Sequence, residues 1–480
     1  MKLPLGSRSL PLLLLLVVCG FAAPAVAAPD IVLFIADDLS QRDISPYGAK
    51  AFRTPNLQAL ADAGLTFENA YVASPSCAPS RAALLTGLMP ARNGSEANHS
   101  RPKAEIRKWP AYFQELGYEV VAYGKVSHYR HTIDYGFDSF AHDKFHEDIA
   151  IPEAVKFLRN RGKGSKPLCL LVGTNWPHVP WPDTPEGYDP ETIPPAPGNV
   201  DTHASRLARA RYAAAVTRAD RDLGLVMSAV REVLGDQALI AFTSDHGSQW
   251  PFGKWNCYEG GVRVPLIVSW PGVTKAASRT SAMVSWIDLL PTLVSVAGGA
   301  PSDAIDGRSF VGVLKGTADA HRDAIFTTHS GDGNWNVYPQ RGVRVGRWKY
   351  IRNLHPEFAF TSHVDLPDRQ GNRTYFESWQ KAAETDPAAA AAIKRYHLRP
   401  AEELFDLDAD PLEQQNLVED PRGKEALDRL RRQLDEWMTS QGDQQTVFGE
   451  PRLLTDPTSF GPDAISGDPQ ARKRAGRKAP

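Results

Sequence analysis

Two apolar runs in the sequence end on acid. "DIVLFIADD" (30–38) closes on Asp37 and Asp38, and "QALIAFTSDHG" (237–247) passes through Asp245 and His246. One acidic pair at a strand end can be a helix cap or a loop pair. Two such pairs also supply the oxygen donors that a hard divalent cation requires, so together they predict a metal site. A third stretch, "SPSCAPSRAALLTG" (74–87), sets one thiol, Cys77, beside a proline, a serine and Arg81, ahead of an apolar helical run. That thiol could be core packing, half of a disulfide, a metal ligand or a nucleophile. Cations and imidazoles recur in three further places: Lys125 and His128 in "YGKVSH", His178 in "NWPHVPW", and Lys254 in "GKWNCYEGGVRVP". Taken singly, each is an ordinary loop residue.

Something must bring these groups together. Continuous apolar runs at 30–38, 118–125, 167–176 and 237–247, and then "VPLIVSWPG", alternate with helical patterns. "TPNLQALADAG" has a proline start and a glycine stop, and an Ala/Arg-rich helix is predicted over about 203–234. Uninterrupted apolar strands between helices predict an α/β fold, a large mostly parallel or mixed sheet covered by helices on both faces. In such sheets ligand groups gather beyond the carboxyl ends of the strands. Asp37, Asp38, Lys125, Asp245 and His246 all fall at such ends. After about residue 325 the pattern changes. "GVRVGRWKYIRN" alternates like an exposed antiparallel strand, "ELFDLDADPLEQQNL" is acidic and turn-rich, and a polar helix follows over about 422–440. The expected organisation is a leader at 1–28, a catalytic domain at 29–325, a smaller C-terminal α+β subdomain at 326–445, and a basic, disordered tail at 446–480.

The 480 residues are 42% hydrophobic and 23% charged, with a net charge of −2. That is enough length for a large core, and no strong field points to nucleic acid. Lys2 and Arg8, the run "LPLLLLLVVCGF" and the small residues "AVA" at 25–27 read as a cleaved export signal. No later segment is apolar enough to span a bilayer, so the expected location is exported: periplasmic, secreted or in an organelle lumen. Of four cysteines, Cys19 lies in the leader. Cys77, Cys169 and Cys257 remain, and an odd number leaves at least one thiol unpaired.

The segment "CAPSR", continued by "AALLTG", matches the C-x-P-S-R signature of the type I, formylglycine-dependent sulfatases, and from about residue 30 to about 420 the chain resembles that family. The resemblance implies the alkaline-phosphatase-like fold. It also implies that a maturation enzyme, either the formylglycine-generating type or an anaerobic one, oxidises Cys77 to formylglycine. The hydrated aldehyde would then attack sulfur through one hydroxyl and expel sulfate with the other, covalent catalysis in two easier steps. By the same resemblance Asp37, Asp38, Asp245 and His246, with residue 77, hold one divalent cation, usually Ca2+. Arg81 would hold the diol, and Lys125 and Lys254 would grip sulfate oxygens. His128, with His131 nearby, would take the second hydroxyl's proton, and His178 would protonate the leaving group. Glu259 and Arg263 would shape a turn.

Two subfamilies share features with the chain. "DHG" and "GKVSH" resemble iduronate-type O-sulfatases, whereas "HSGDGNWNVYPQRGVRVGRWKYIRNL" resembles heparan N-sulfatases (sulfamidases). Both imply a sulfated carbohydrate of glycosaminoglycan type, with Asn98, His99 and His329 as candidate substrate contacts. N- versus O-sulfate stays open. The alternatives are a phosphoryl or phosphonate monoester hydrolase on the same scaffold, or a non-catalytic sulfated-sugar-binding protein.

Overall fold

The computed structural model describes residues 1, 28–141, 149–162, 164–366 and 374–467. The expected leader lies outside the described residues except for its two end residues. Among the described residues the strands are β1 (Ile31–Ala36), β2 (Leu65–Tyr71), β3 (Glu119–Gly124), β4 (Ser139–Ala141), β5 (Leu168–Gly173), β6 (Leu239–Ser244), β7 (Arg263–Ser269), β8 (Ser278–Ser285), β9 (Ala324–His329), β10 (Gln340–Val345), β11 (Trp348–Asn353) and β12 (Glu402–Asp406). The first eight form one sheet in the order β4-β3-β5-β1-β6-β7-β2-β8. Neighbours from β4 to β6 run parallel, β7 is antiparallel to both its neighbours, and β2 and β8 are parallel. The fold is therefore the expected α/β architecture, with a mixed sheet and a second, smaller one.

The central strands have no polar face. β1, β5 and β6 are buried at every position, because helices cover both sides and both sets of alternating side chains must be apolar. One face packs on the helix His203–Leu234 and the helix Ala150–Arg159. The other packs on the helices Trp109–Gln114 and Leu289–Val296. Two large clusters result, one on each side. The long helix starts where Thr202 accepts the Ser205 N–H at 3.1 Å, a side-chain cap of the usual kind.

The second sheet is antiparallel, in the order β12-β11-β10-β9, and the helix Lys424–Gln441 lies against it. Three expectations need correction here. "GVRVGRWKYIRN" is not one exposed strand: it is the hairpin β10–β11, turning at Gly346 with φ 57°, and Val343, Tyr350 and Ile351 are fully covered. The boundary at 325 cuts through β9, which pairs with β10. The expected disordered tail begins too early. Leu453 bridges Phe358, and the buried Arg452 donates to the carbonyls of Ser459 and Ile465, at 3.1 and 2.8 Å, so backbone acceptors hold this segment down. Residues 468–480 lie outside the described residues.

Two glycines bring the strand ends close. Gly124, with φ 78°, ends β3, and Gly173 ends β5 beside it. A Cβ on Gly124 would sit 2.1 Å from the Gly173 carbonyl oxygen. The next residue after Gly124 is Lys125. Gly124→Ala should therefore cost more than about 3 kcal/mol, from left-handed strain plus the overlap. Thermal unfolding should show a melting temperature lower by about 3 °C or more.

Candidate active site

Four adjacent parallel strands deliver the chemistry at one edge. β3 is followed by Lys125, β1 by Asp37 and Asp38, and β6 by Asp245 and His246, while the chain leaving β5 reaches His178 five residues on. The helix Cys77–Thr86 points its first turn at the same place, and Lys254 comes from the loop between β6 and β7. All these residues except His178, which is slightly exposed, are buried.

Arg81 organises the acids. Its Nε donates to Asp245 Oδ2 at 2.9 Å, its Nη2 to Asp37 Oδ1 at 3.2 Å, and its Nη1 to the Lys125 carbonyl. Ser80 donates to the Asp245 carbonyl at 2.6 Å, and the Asp38 N–H donates to Asp245 Oδ1 at 3.0 Å. The lysines take what remains. Lys125 Nζ lies 2.6 Å from Asp37 Oδ2 and 3.5 Å from Cys77 Sγ, while Lys254 Nζ lies 2.9 Å from both oxygens of Asp38. Burial alone would raise the Asp37 pKa. Lys125, His178, Arg81 and Lys254 outweigh it and hold the carboxyl well below its ordinary range.

One ligand atom each from Asp38, Cys77, Asp245 and His246 gather within 4.8 Å of one another. His246 is set up as a ligand. Its Nδ1 donates to the Gly247 carbonyl at 2.9 Å, which turns the Nε2 lone pair toward Cys77 Sγ at 3.2 Å, Asp38 Oδ1 at 3.4 Å and Asp245 Oδ2 at 3.5 Å. Burial opposes charge on this imidazole, yet Asp245, Cys77 and Asp38 carry its pKa up to about 9. A cavity that attracts a proton so strongly, with carboxylate donors around it, suits a divalent cation. Asp37 lies beside this group of four, its two oxygens engaged by Arg81 and Lys125, much as those of Asp38 are engaged by Lys254.

The imidazoles differ from one another. His178 Nδ1 donates to the Val179 carbonyl at 2.5 Å, so Nε2 faces Asp38 Oδ2 at 3.9 Å. Burial, then Lys254 and Lys125, hold its pKa well below the ordinary range. His128 is lowered likewise, by burial and then Lys125, His99 and His131. Its ring lies 4.8 Å from that of His99 and 5.3 Å from that of His131. His329 does not fit a role as substrate contact. It is fully buried at the end of β9 and hydrogen-bonded to Asn336 Oδ1 at 2.8 Å. Asn98 is occupied too: its Oδ1 accepts the Ala78 N–H at 3.0 Å and so caps the Cys77 helix from outside. His99 is the exposed one of the three, with 62% of its side chain accessible.

The other cysteines are inert packing. Burial pushes the Cys169 thiol up to about 12 and the Cys257 thiol up to about 11. Sequence reading missed Tyr129, whose ring lies 4.7 Å from Lys125 Nζ, and Asp332, a buried carboxylate more than 200 residues from its partner Asn98. Tyr129 follows "GKVSH" directly and could have been suspected. Asp332 carries no local signal.

Buried carboxylates, a cation pocket and paired lysines at the ends of parallel strands define a hydrolase site for a tetrahedral oxyanion. The chain belongs to the sulfatase family, whose model matches residues 29–300. A second model, N-sulphoglucosamine sulphohydrolase, C-terminal, matches residues 246–370. Among relatives, an ulvan-active sulfatase of Formosa agariphila is 30% identical over 424 residues, 86% of this chain and 81% of its own. The human N-sulphoglucosamine sulphohydrolase is 29% identical over 458 residues, covering 85% of this chain and 89% of its own. A solved structure in complex with its substrate D-glucosamine-2-N,6-O-disulfate superposes with a TM-score of 0.67 at 20% identity, over 87% of this chain and 99% of the other. A phosphonate monoester hydrolase from Silicibacter pomeroyi superposes at 0.64 and 18%, over 87% and 96%. At these identities the superpositions show a shared fold.

Asp38 sits at φ 65°, a left-handed conformation that asparagine also tolerates, so Asp38→Asn changes charge with little strain. A bound divalent cation, Ca2+ being the first to try, at about 100-fold over its dissociation constant should raise the wild-type melting temperature by about 3 °C. Most of that rise should be lost in Asp38→Asn, measured by differential scanning fluorimetry with and without chelator.

Proposed function

We propose that this sulfatase hydrolyses sulfate esters or sulfamates of glycosaminoglycan-type sugars, with residue 77 acting as formylglycine. N-sulfoglucosamine is the first substrate to test, since the C-terminal family match and the human relative bear that name. The observation that carries the reading is the convergence of Cys77, Asp38, Asp245 and His246 under Lys125 and Lys254. In the active form the oxygens of the hydrated aldehyde would stand where Cys77 Sγ stands, and they would supply the nucleophile. A cation held by Asp38, Asp245, His246 and residue 77 would polarise the sulfate, and Ca2+ suits this oxygen-rich set.

The chain's own residues supply the rest. Lys125 and Lys254 approach from opposite acids and present positive charge where sulfate oxygens would lie. Arg81 reaches Asp37 and Asp245 rather than open space, so its part is to fix the acids. His178 holds its Nε2 toward the site through the Val179 bond; beside a bound sulfate dianion or monoanion it would take up a proton from solvent and pass it to the leaving oxygen or nitrogen. His128, neutral and beside Lys125, can accept a proton. An export leader of the kind read at 1–28 would put the enzyme outside the cytosol, where it would meet such glycans after maturation by its modifying enzyme. Among the described residues no helix is long and apolar enough to cross a membrane.

Mass spectrometry and hydrolysis assays test this. Co-expressed with a maturation enzyme, the peptide bearing residue 77 should be lighter by about 18 Da, the loss on going from cysteine to the aldehyde that catalysis needs. That preparation should release sulfate from sulfated glucosamine and should turn over p-nitrophenyl sulfate faster than p-nitrophenyl phosphate. An unmodified, active Cys77 or a clear phosphate preference overturns the reading. His178→Gln should slow sugar-sulfate hydrolysis by about 10²–10⁴-fold, the usual worth of a general acid. The same variant should affect p-nitrophenyl sulfate far less, because its leaving group needs no proton.

A further inference from the structure

We infer that Asp332 is a positioning residue of this active site, the single carboxylate that fastens the Cys77 helix, the Lys254 loop and the His99–His128 pair to one another. The inference rests on the sulfatase reading above and adds to it a residue outside the set so far assigned.

Asp332 lies in the loop after β9 and is 2% exposed. Oδ2 accepts from Asn98 Nδ2 at 3.0 Å and from Trp255 Nε1 at 2.8 Å. Oδ1 lies 3.1 Å from His99 Nε2, an ion-pair contact rather than an aligned hydrogen bond. Each partner leads to the reacting centre. Asn98 passes the constraint to the Ala78 N–H, one residue after Cys77. Trp255 follows Lys254, whose Nζ sits 5.1 Å from the indole centroid. His99 packs edge-on against His128.

Backbone conformation points the same way. His99 and Trp255 both have φ 66°, uncommon for histidine and unfavourable for a bulky indole. Such conformations persist where surrounding bonds over-determine them, and they cluster at working sites. Each of the two has a side-chain contact to Asp332, and Trp255 is held as well by its N–H bond to the Pro75 carbonyl at 2.8 Å. The Asn98 N–H also donates to the Gly331 carbonyl at 2.9 Å, so the two loops are joined by backbone as well. The partners of Asp332 come from two segments, Asn98–His99 and Trp255, with His363 Nε2 of a third 3.7 Å from Oδ2, and a buried carboxylate so engaged is costly unless all are kept. That cost is what makes it a rigid joint.

The substitution Asp332→Asn separates the arms. An amide has one acceptor oxygen, and placing it at the Oδ2 position keeps Asn98 and Trp255 while setting an NH2 against His99. Steady-state kinetics on the matured, Ca2+-loaded enzyme should show kcat lower by about 10-fold with KM within about twofold, since the contacts of Asp332 run to protein side chains. His99→Gln, at an exposed position, should lower kcat by a similar factor. The double variant should be no slower than the slower single one, because both changes cut the same link. Melting temperature and Ca2+ content should stay near wild type in all three. Wild-type kcat in either single variant, losses that multiply, or a loss that falls in KM alone overturns the inference. If Asp332→Asn does not fold, His99→Gln decides by the same kcat criterion. These failures differ from failure of the sulfatase reading, in which the wild-type enzyme itself would release no sulfate.

Discussion

Three carboxylates and three strong cations are buried together at the ends of β1, β3 and β6, and the rest of the site follows from keeping them paired. An isolated buried charge costs several kcal/mol, and a pair recovers that cost only with good geometry and extra hydrogen bonds. Arg81 meets the requirement because its planar fork spans two acids from different strands while its remaining nitrogen binds a strand-end carbonyl. A lysine there could not hold Asp37 and Asp245 at once. The helix bearing residue 77 is thereby locked to the sheet by the same side chain that keeps the acids apart.

The second sheet then has a clear task. It presses on the Lys254 loop from behind. Glu259, just after that loop, accepts from Lys349 at 3.0 Å, Arg344 at 2.8 Å and Tyr71 at 3.1 Å, and its N–H donates to Glu413 at 2.6 Å. Lys349 and Arg344 belong to the β10–β11 hairpin. Burial and the neighbouring Glu259 push Glu413 up to about 7 despite Lys349, so this pillar is itself short of positive charge. Glu259 is thus more than a turn-former, and the smaller sheet is part of the site's frame.

Much of this was legible in the sequence because it is local. Strand-end acids follow directly from an apolar run that stops, and Cys77, the proline and Arg81 lie within one helical turn and a half. Lys125, His178 and Lys254 could be placed because each rides on such a strand or on a motif tied to one. What stayed hidden is what depends on contacts between distant segments. His329 looked like a loop histidine, but β9 carries it into the interior. Asn98 looked like a sugar contact, but it is spent on the Ala78 N–H and on Asp332. The hairpin at Gly346 was hidden by an alternation that runs straight through it, since neither strand's pattern breaks at the turn.

A site so interlocked changes how its parts can be tested. Removing Arg81 would free two buried carboxylates, and removing Asp38 altogether would free Lys254 and open the cation pocket. Large losses from either would then report the repair of the whole cluster rather than the share of one group. Isosteric changes that alter one bond, and pairs of changes read as cycles, are the informative ones here. The fold is shared with a phosphonate monoester hydrolase, so the fold alone does not set the chemistry. On the reading proposed above, strands and acids would fix where a tetrahedral oxyanion sits, while residue 77 and the loops around His99, His178 and Trp255 would decide which nucleophile meets it and which leaving group departs.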